Sequence, residues 1–345
     1  MTSEFDRRTF IKCCAAGASL ALLPNSAPAP LAAGYRPAVE PAGAYPVSPV
    51  VVARSARLQI ASGEVDSREV RSLLDRAMAA LTGASSARDA WRSIFSADDV
   101  VAVKLNCLAG RGMSSRTEVA AAVVAGLRSA GVPDRNIILW DRTGAELERA
   151  GYTLETGRGG GGGVRCFGTD VIRGGGYEPQ PEIFGEVGSC FSMVLTRLCT
   201  AVVNLPVLKD HDLAGVSGAL KNNFGVIHNP NRYHDNNCDP YVAHLNSARH
   251  LVEKQRLVVC DAITPQCNSG PSYRPDWAWG YGGLLVSRDP VAADAVGAEI
   301  IEQRRSRLGL PTLLEAERPP RWLETAHEMG LGLGRLEEIS RMEIE

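Results

Sequence analysis

The sequence predicts an α/β fold with a largely parallel sheet flanked by helices. Short apolar runs rich in Val, Ile and Leu alternate with longer segments whose apolar residues recur at helical spacing. Apolar runs that lack polar alternation are typical of strands buried on both faces of a parallel sheet. The composition, 45% hydrophobic and 22% charged over 345 residues, supplies ample apolar material for such a core.

Residues 1–33 are predicted to be a twin-arginine signal peptide. The segment Asp6 to Lys12, DRRTFIK, contains paired arginines, and the mildly apolar stretch Cys13 to Leu23 precedes small residues that end at Ala33. We expect export in the folded state, to the periplasm or otherwise outside the cytoplasm, with the twin-arginine machinery as a partner. The apolar stretch is too short for a stable membrane span after cleavage.

Residues 34–49, rich in Pro, Ala and Gly, are predicted to be an extended leader, and residues 50–345 a single α/β domain. The first strand is expected at Val50 to Arg54. Ser67 to Leu81 has an apolar stripe at helical spacing, with acidic and hydroxyl residues near its start. Further strands are predicted at Val100 to Leu105 and Ile137 to Trp140, with a helix at Thr117 to Ser129 between them.

Glycine-rich segments interrupt this alternation at Gly157 to Gly163 and at Gly174 to Gly176. A nucleotide-binding loop needs its glycines spaced between a strand and a helix, which is not the pattern here. The flanking pieces resemble short hairpins. We therefore interpret this region as a Gly-rich hairpin excursion on the surface.

The stretch from Ala201 to Ile227 combines an apolar strand, a polar loop and a short helix. Ala201 to Leu208 has the composition of a strand buried on both faces, and Pro206 indicates a bulge or strand end. Residues 209–211, KDH, are predicted to lie in the loop. Ser217 is placed to cap a helix that carries Lys221.

The remaining elements continue the α/β pattern to a helical C-terminal tail. They are a helix at Asp239 to Leu251, strands at Arg256 to Cys260 and Leu284 to Ser287, a helix at Pro290 to Arg304 opened by Asp289, and one or two amphipathic helices from Pro319 onward.

Several predicted strands end in polar residues. These are Lys104 with Asn106, Asp141, Lys209 with His211, and Asp261. Ligands of open α/β sheets bind outside the carboxyl ends of the strands, so we expect a polar cleft there. Lysines 104, 209 and 221 would repel one another and lower their pKa values, which an anionic ligand would relieve. Neutralisation of the lysines by Asp210, Asp212 and Asp261 is the structural alternative.

Four motifs together resemble the domain of unknown function 362 family. They are VAVKLN, NLPVLKDHDLAG, VSGALKNNFG and DPVAADAVGA, and the resemblance spans roughly Val100 to Ala298. The segment HDNNCDPYVAHLN is similar to the exported branch of the family. The resemblance implies a shared polar site made of Lys104, Asn204, Lys209, Lys221, Asn222, Asp261 and Asp289. Some relatives carry a ferredoxin-like cysteine motif, but the cysteine spacing of this chain does not support such an iron–sulfur cluster.

A second group of residues has the chemistry of a transition-metal site. The predicted ligands are His234, Cys238, Asp239 and His244. Their spacing matches no standard metal signature. Two alternatives remain open: Cys238 as a nucleophile with His234 as its base, or ordinary loop residues.

Seven cysteines remain after the signal peptide, an odd number that cannot pair completely. The nearest candidates for disulfides in an oxidising compartment are Cys190 with Cys199 and Cys260 with Cys267. The alternative is that they are small buried hydrophobic residues.

The sequence therefore predicts an exported protein that binds an anionic small molecule or cofactor in a lysine-rich cleft. The formal net charge of −2 argues against a nucleic-acid partner. We expect a redox or metal-assisted enzyme of unassigned reaction, whose cofactor is unknown. The alternative is a non-catalytic ligand-binding or cofactor-maturation protein that serves a periplasmic redox partner.

Residue roles follow from this hypothesis. Lys209, His211, Lys221 and Asp261 are the candidate catalytic residues, with His211 or a lysine as acid or base and Asp261 orienting it. The candidate ligand-binding residues are Lys104, Asn106, Asn204, Asn222, Asn223 and Asp289. Asp289, which precedes Pro290, also has a purely structural explanation as a helix cap.

Overall fold

A mostly parallel, ten-stranded sheet forms the centre of the part of the chain that the structure describes. The structure is a computed structural model that describes residues 44–60, 63–157 and 162–345, all of which belong to one unit, Ala38–Glu345. The predicted signal peptide, most of the predicted leader and the middle of the glycine run lie outside the described residues.

The strands and helices are numbered in chain order. The strands are β1 (Val50–Arg54), β2 (Val101–Lys104), β3 (Ile137–Asp141), β4 (Arg165–Gly168), β5 (Glu182–Phe184), β6 (Val187–Ser189), β7 (Ala201–Asn204), β8 (Val207–His211), β9 (Gly215–Ser217), β10 (Gln255–Gln266), β11 (Gly283–Ser287) and β12 (Arg341–Ile344). The helices are α1 (Ser67–Thr82), α2 (Ala87–Arg92), α3 (Thr117–Ala130), α4 (Gly144–Ala150), α5 (Ala219–Asn222), α6 (Tyr241–Asn246), α7 (Arg249–Lys254), α8 (Pro290–Arg307) and α9 (Trp322–Glu328).

The sheet has the strand order β12-β1-β11-β10-β7-β2-β3-β4, with β8 and β9 attached to the far half of β10. All pairs from β10 through β7, β2 and β3 to β4 are parallel. Strand β11 is antiparallel to both of its neighbours. The predicted fold class, a largely parallel sheet flanked by helices, is confirmed.

Two apolar cores, one on each face of the sheet, explain why the strands lack polar alternation. Successive residues of one strand enter different cores: Ala102 joins the core that contains α8, and Val101 and Val103 join the core that contains α1 and α3. Both faces of a central strand therefore need apolar side chains. Helix α1 begins at the Asp66 cap and buries the predicted apolar stripe.

The predicted strand Ala201 to Leu208 is divided at Pro206, as the proline indicated. Strand β7 ends before it and β8 begins after it, and the Pro206 carbonyl accepts the backbone N–H of Asp261 at 2.8 Å. The long strand β10 pairs with β7 along its first half and with β8 along its second. Two predictions are corrected by this: residues 209–211 lie in β8 and not in a loop, and Asp261 lies within β10 and not at a strand end.

Three other predicted boundaries are wrong. Ser217 lies in β9, and Gly218 precedes α5 in its place. The predicted helix Asp239 to Leu251 is two short helices, α6 and α7, which are separated at Ser247 and Ala248. The C-terminal tail contains α9, but it ends in β12, which pairs in parallel with β1 at the sheet edge.

All seven cysteines after the predicted signal peptide are free thiols, and six of them are buried. Neither predicted pair, Cys190 with Cys199 or Cys260 with Cys267, forms a disulfide. The buried thiols pack as small apolar groups, which was the alternative interpretation. Among the helices described here, none is long and apolar enough to cross a membrane.

The close contact between α2 and α3 gives a test of the packing. A Cβ atom on Gly126 of α3 would lie 2.1 Å from Cε2 of the buried Trp91 ring. We expect Gly126→Ala to lower the free energy of unfolding by about 1–3 kcal/mol, because overpacking a rigid core outweighs the better helix propensity of alanine. Chemical denaturation measures this. Gly163→Ala, where no atom lies within 4 Å of the added Cβ, is the control, and equal stability of the two variants would contradict this packing.

Candidate functional site

A cavity of about 210 Å³ lies at the carboxyl edge of the sheet, where β2, β3 and β8 end. Its polar lining comes from four separate segments of the chain. The lining includes Lys104 and Asn106, Asp141, Arg142 and Glu146, Lys209 and His211, and Lys221, Asn222 and His234. Most of the predicted cleft residues are therefore brought together at the predicted edge of the sheet.

Lys104 is neutralised by an ion pair within the cavity wall. Its Nζ donates to Asp141 Oδ1 at 2.7 Å and to the Leu105 carbonyl at 2.6 Å. The other carboxylate oxygen of Asp141 accepts the backbone N–H of Cys107 at 2.7 Å. The pair is almost fully buried. Lys104 and Asp141 thus form a fixed, internally compensated part of the wall.

Lys209 has polar neighbours but no ion pair with any described carboxylate. Its Nζ donates to Asn106 Oδ1 at 2.9 Å and to the Met113 carbonyl at 3.4 Å. The residue is 1% exposed. Burial lowers the pKa of Lys209 to about 8 against the opposing effect of the Asp141 charge, and the positive charge of Lys221 adds a smaller lowering.

Lys221 approaches the cavity from α5 and contacts His234. Its Nζ lies 3.1 Å from His234 Nε2 and 4.1 Å from the centre of the Phe224 ring. His234 Nδ1 lies 3.1 Å from the Pro230 carbonyl, so Nδ1 carries the proton and Nε2 accepts from the lysine. Burial lowers the pKa of Lys221 to about 8, and no described carboxylate forms an ion pair with it.

His211 is held as a neutral ring. Its Nδ1 accepts the backbone N–H groups of Leu213 and Ala214 at 3.2 and 3.3 Å, so the proton lies on Nε2. Burial and then the charge of Lys221 lower the pKa of His211 to about 2. The 3.1 Å contact with Asp212 is therefore not an ion pair. The acid–base role predicted for His211 does not fit this environment, and a lysine fits it better.

The cavity lining carries more positive than negative charge. The cations are Lys104, Arg142, Lys209 and Lys221, and the anions are Asp141 and Glu146. None of the three aspartates proposed to neutralise the lysines forms an ion pair with one: Asp210 pairs with Arg318 at 2.9 Å, the Asp212 side chain is 65% exposed, and Asp261 bonds to backbone. The charges of Asp210 and Asp212 favour the charged forms of Lys209 and Lys221 from a distance. Among the described residues that line the cavity, Lys104 is the lysine with an ion pair, and its partner is Asp141. The lining is complementary to an anion.

A chain of buried amides supports the cavity from below. Asn106 donates to Asn222 at 3.1 Å, Asn222 to Asn204 at 2.8 Å, and Asn204 to Gln255 at 2.8 Å. Asn223 continues the chain to Gln255 at 3.1 Å and to Asn246 at 2.7 Å. Of the predicted ligand-binding asparagines, Asn106 and Asn222 line the cavity. Asn204 and Asn223 lie behind it and position the first two.

Two aspartates assigned to the site lie outside the cavity. Asp261 accepts the N–H of Arg116 at 3.0 Å and of Ile263 at 3.1 Å, which anchors the start of α3 to the sheet. Asp289 caps α8 by accepting two N–H groups at 2.9 Å each, and its second oxygen accepts the N–H of Leu333. Neither carboxylate lines the cavity, so the predicted roles in orientation and ligand binding are corrected to structural ones.

The predicted metal ligands are not assembled into one site. His234 lines the cavity, and Cys238 lies buried beside Lys221, within hydrogen-bonding contact. Asp239 accepts from Thr325 at 2.6 Å, and His244 packs beside Gly185. Within residues 44–60, 63–157 and 162–345, no three His, Cys, Asp or Glu side chains are grouped as a metal site would require. Burial also raises the pKa of the Cys238 thiol, which opposes the nucleophile alternative.

Asp294 is a site-associated residue that the sequence interpretation missed. It projects from α8 and accepts the backbone N–H groups of Ala219 and Leu220, at 2.5 and 2.9 Å, at the start of the turn that carries Lys221 and Asn222. Burial raises the pKa of Asp294 to about 7. The sequence does contain a signal, because Asp294 is the one charged residue in the apolar segment 290–298. A charge in such a segment indicates a specific partner.

A profile of the family described as "Domain of unknown function (DUF362)" matches residues 101–299, more than half of the chain. No curated protein matches the sequence. Similar solved structures include a protein from Thermotoga maritima (10% identity, TM-score 0.43) and the lactate racemase apoprotein from Thermoanaerobacterium thermosaccharolyticum (12% identity, TM-score 0.44). Each covers 69% of this chain, which in turn covers 59% and 55% of their lengths, less than two thirds of either.

The lowered pKa of Lys209 makes the stability of the protein depend on pH. The pKa falls from 10.5 to about 8 on folding, so the folded state binds fewer protons between these pH values. The contribution of Lys209 to the free energy of unfolding therefore rises as the pH increases from about 8 to about 10.5. We subtract the free energy of unfolding of Lys209→Met from that of the wild type. We expect this difference to increase by about 3 kcal/mol or less as the pH rises from about 8 to about 10.5. Urea denaturation at several pH values measures this difference. Arg57→Met, which removes an exposed cation, is the control. A difference that stays constant or falls as the pH rises would contradict the lowered pKa of Lys209.

Proposed function

The chain belongs to the family described as domain of unknown function 362, and we propose that its cavity binds a small organic anion and exchanges a proton with it. One observation carries the proposal. The buried amines of Lys209 and Lys221 line the same cavity and have no ion-pair partner among the described carboxylates.

Electrostatics favours an anionic ligand. Taking an ammonium group out of water is unfavourable unless another charge compensates it. The fixed partners of the two lysines are neutral: an amide, a carbonyl, an imidazole and a thiol. A carboxylate placed between the lysines would supply the missing charge and raise their pKa values again.

The size of the cavity limits the ligand. A volume of about 210 Å³ is roughly that of seven water molecules in the liquid. This accommodates a small organic acid. The Phe224 ring and the imidazoles of His211 and His234 supply flat walls on one side.

The two lysines are suited to different roles. Lys221 is fixed by His234 and Phe224, which suits it to holding a carboxylate. Lys209 has two N–H groups directed to protein acceptors, which leaves one position on Nζ for the ligand. With a pKa of about 8, that position holds a proton or a lone pair near neutral pH. The Nε2–H of His211 is a donor for a ligand oxygen.

Two further parts of the predicted function, metal assistance and export to the periplasm, rest on different observations. The metal-assisted version loses its support, since the four predicted ligands do not meet at one site. Export to the periplasm remains part of the proposal and rests on the segment Asp6 to Lys12. On this view the partners are the export machinery and the anionic ligand.

Anion binding is tested directly by calorimetric titration with acetate, oxalate, malonate and inorganic phosphate. We expect saturable binding of at least one of these, weakened about tenfold or more in Lys209→Met and Lys221→Met, because each variant removes a charge-assisted hydrogen bond. Affinity should fall as the pH rises through about 8, where both amines lose their protons. Lys254→Met is the control, because Lys254 bonds to backbone carbonyls away from the cavity. Absence of saturable binding, or equal affinities in all variants, would refute the proposal.

Proton exchange separates an enzyme from a carrier. We expect the protein to accelerate deuterium incorporation at the malonate methylene in heavy water, as followed by proton NMR. Lys209→Met should lose the acceleration even at saturating malonate, whereas Lys221→Met should chiefly raise the concentration required. Binding without acceleration in the wild type would favour the alternative, a non-catalytic carrier for a periplasmic partner. The hydrogen-bonded amides that hold the cavity wall in place favour this alternative, because a rigid wall is sufficient for binding without catalysis.

A further inference from the structure

The turn that carries Lys221 and Asn222 is held by a residue from a distant helix. Helix α5 spans only four residues, and its first backbone N–H groups are buried. Asp294 of α8 accepts the N–H of Ala219 at 2.5 Å and the N–H of Leu220 at 2.9 Å, one with each carboxylate oxygen. A single helical turn has too few internal hydrogen bonds to fix its own orientation. The Asp294 carboxylate holds its N–H groups, while Asn204 and Asn246 donate to the carbonyls of Ala219 and Leu220 at 2.8 and 2.9 Å.

Gly218 makes this contact geometrically possible. A Cβ atom on Gly218 would lie 2.1 Å from Asp294 Oδ1 and 2.5 Å from its Cγ. Any other residue at this position would displace the carboxylate from the two N–H groups. The close approach therefore requires both a glycine at position 218 and an aspartate at position 294.

Asp294 has no cation beside it. In the described part of the chain no Lys, Arg or His forms an ion pair with it, and it is 4% exposed. The titratable groups that act on it are Asp289 on its own helix and Cys260 on β10, whose thiol stays neutral because burial raises its pKa well above the usual range. Burial, with a smaller contribution from Asp289, raises the pKa of Asp294 to about 7. The two backbone N–H groups are therefore the partners that favour its charged form.

We propose that Asp294 is a positioning residue for the cavity: the ionised carboxylate holds α5 so that Lys221 and Asn222 face the ligand. The inference rests on the proposed anion-binding function and adds its regulation by protons. When Asp294 is protonated, the carboxyl loses its charge and one oxygen becomes a hydroxyl, which is a weaker acceptor, so at least one N–H at the start of α5 is held less strongly. The turn loosens and Lys221 is less well placed.

The sign of the effect distinguishes positioning from charge alone. A buried negative charge near the cavity repels an anion, so its removal would by Coulomb's law strengthen anion binding. Positioning has the opposite consequence, because removal of the carboxylate weakens binding. The direction of the change in affinity therefore decides between the two.

The test compares Asp294→Asn with Asp289→Asn, a matched control. Asp289 lies five residues earlier, also accepts backbone N–H groups with both carboxylate oxygens, and does not line the cavity. With oxalate, which stays a dianion from pH 6 to 8, we expect Asp294→Asn to bind about tenfold more weakly at pH 8, since its amide can accept only one of the two N–H groups. Wild-type affinity should fall as the pH drops through about 7, and this acidic decline should vanish in Asp294→Asn but persist in Asp289→Asn.

A second variant and a ligand-free measurement cover the case in which Asp294→Asn folds poorly or oxalate does not bind. Gly218→Ala should reproduce the weaker binding. Amide hydrogen exchange at Ala219 and Leu220, at pH 8 and without ligand, should be faster in both variants than in the wild type and unchanged in Asp289→Asn. Wild-type protein that binds no anion, with this exchange pattern intact, would refute the proposed function and leave the positioning of α5 standing. Wild-type exchange rates in both variants, or tighter oxalate binding by Asp294→Asn, would overturn the inference.

Discussion

The local structure at the sheet edge depends on two lysine side chains, Lys209 and Lys221, that are buried without an ion-pair partner among the described carboxylates. A change of the Lys209 pKa from 10.5 to about 8 corresponds to about 3 kcal/mol against the charged form. Such a cost persists only where the surrounding structure over-determines it or where a ligand offsets it. The break at Pro206, which directs β8 along the far half of β10, brings Lys209 to the cavity. The turn α5 brings Lys221 to it as well.

Lys104 shows that burial alone does not make a lysine a ligand group. Lys104 and Lys209 are both 1% exposed and both line the cavity. Lys104 has Asp141 at 2.7 Å, a carboxylate that is itself fixed by the backbone N–H of Cys107. That pair is complete, so a ligand anion would gain little from it and would be repelled by Asp141. The positive charge that can attract an anionic ligand therefore comes from Lys209 and Lys221, whose hydrogen-bond partners are neutral.

The sequence predicted the elements whose cause is local and missed those whose cause is pairing between distant segments. Apolar runs and helix caps located β2, β3, β7 and α1 to within a few residues. The last three residues of β8, Lys209 to His211, were interpreted as a loop because they are polar. They form a strand since β9 and β10 supply their backbone partners, and the cavity accepts the side chains of Lys209 and His211. Asp261 misled for the same reason: a polar residue inside a strand looks like the end of one.

The composition of the site was predicted better than its connections. Lys104, Lys209 and Lys221 line one cavity: β2 and β8 end at the same edge of the sheet and bring Lys104 and Lys209 together, and α5 adds Lys221. Spacing could not show that His234 would meet Lys221 while Asp239 and His244 turned elsewhere, since short turns scatter neighbouring side chains.

Asp294 was harder still to find, because its partners lie 74 and 75 residues away along the chain. Asp294 can be recognised in the sequence from the unfavourable free energy of burying a carboxylate, and not from its spacing relative to other site residues. A carboxylate within an apolar segment is unfavourable unless donors meet it. A chain that keeps such a residue must supply those donors from another segment, and here the donors, Ala219 and Leu220, lie in the same helical turn as Lys221. The cost of burying Asp294 and the cost of burying Lys221 are therefore linked through a single helical turn, so protonation of one carboxylate acts on the binding cation without any direct contact between them.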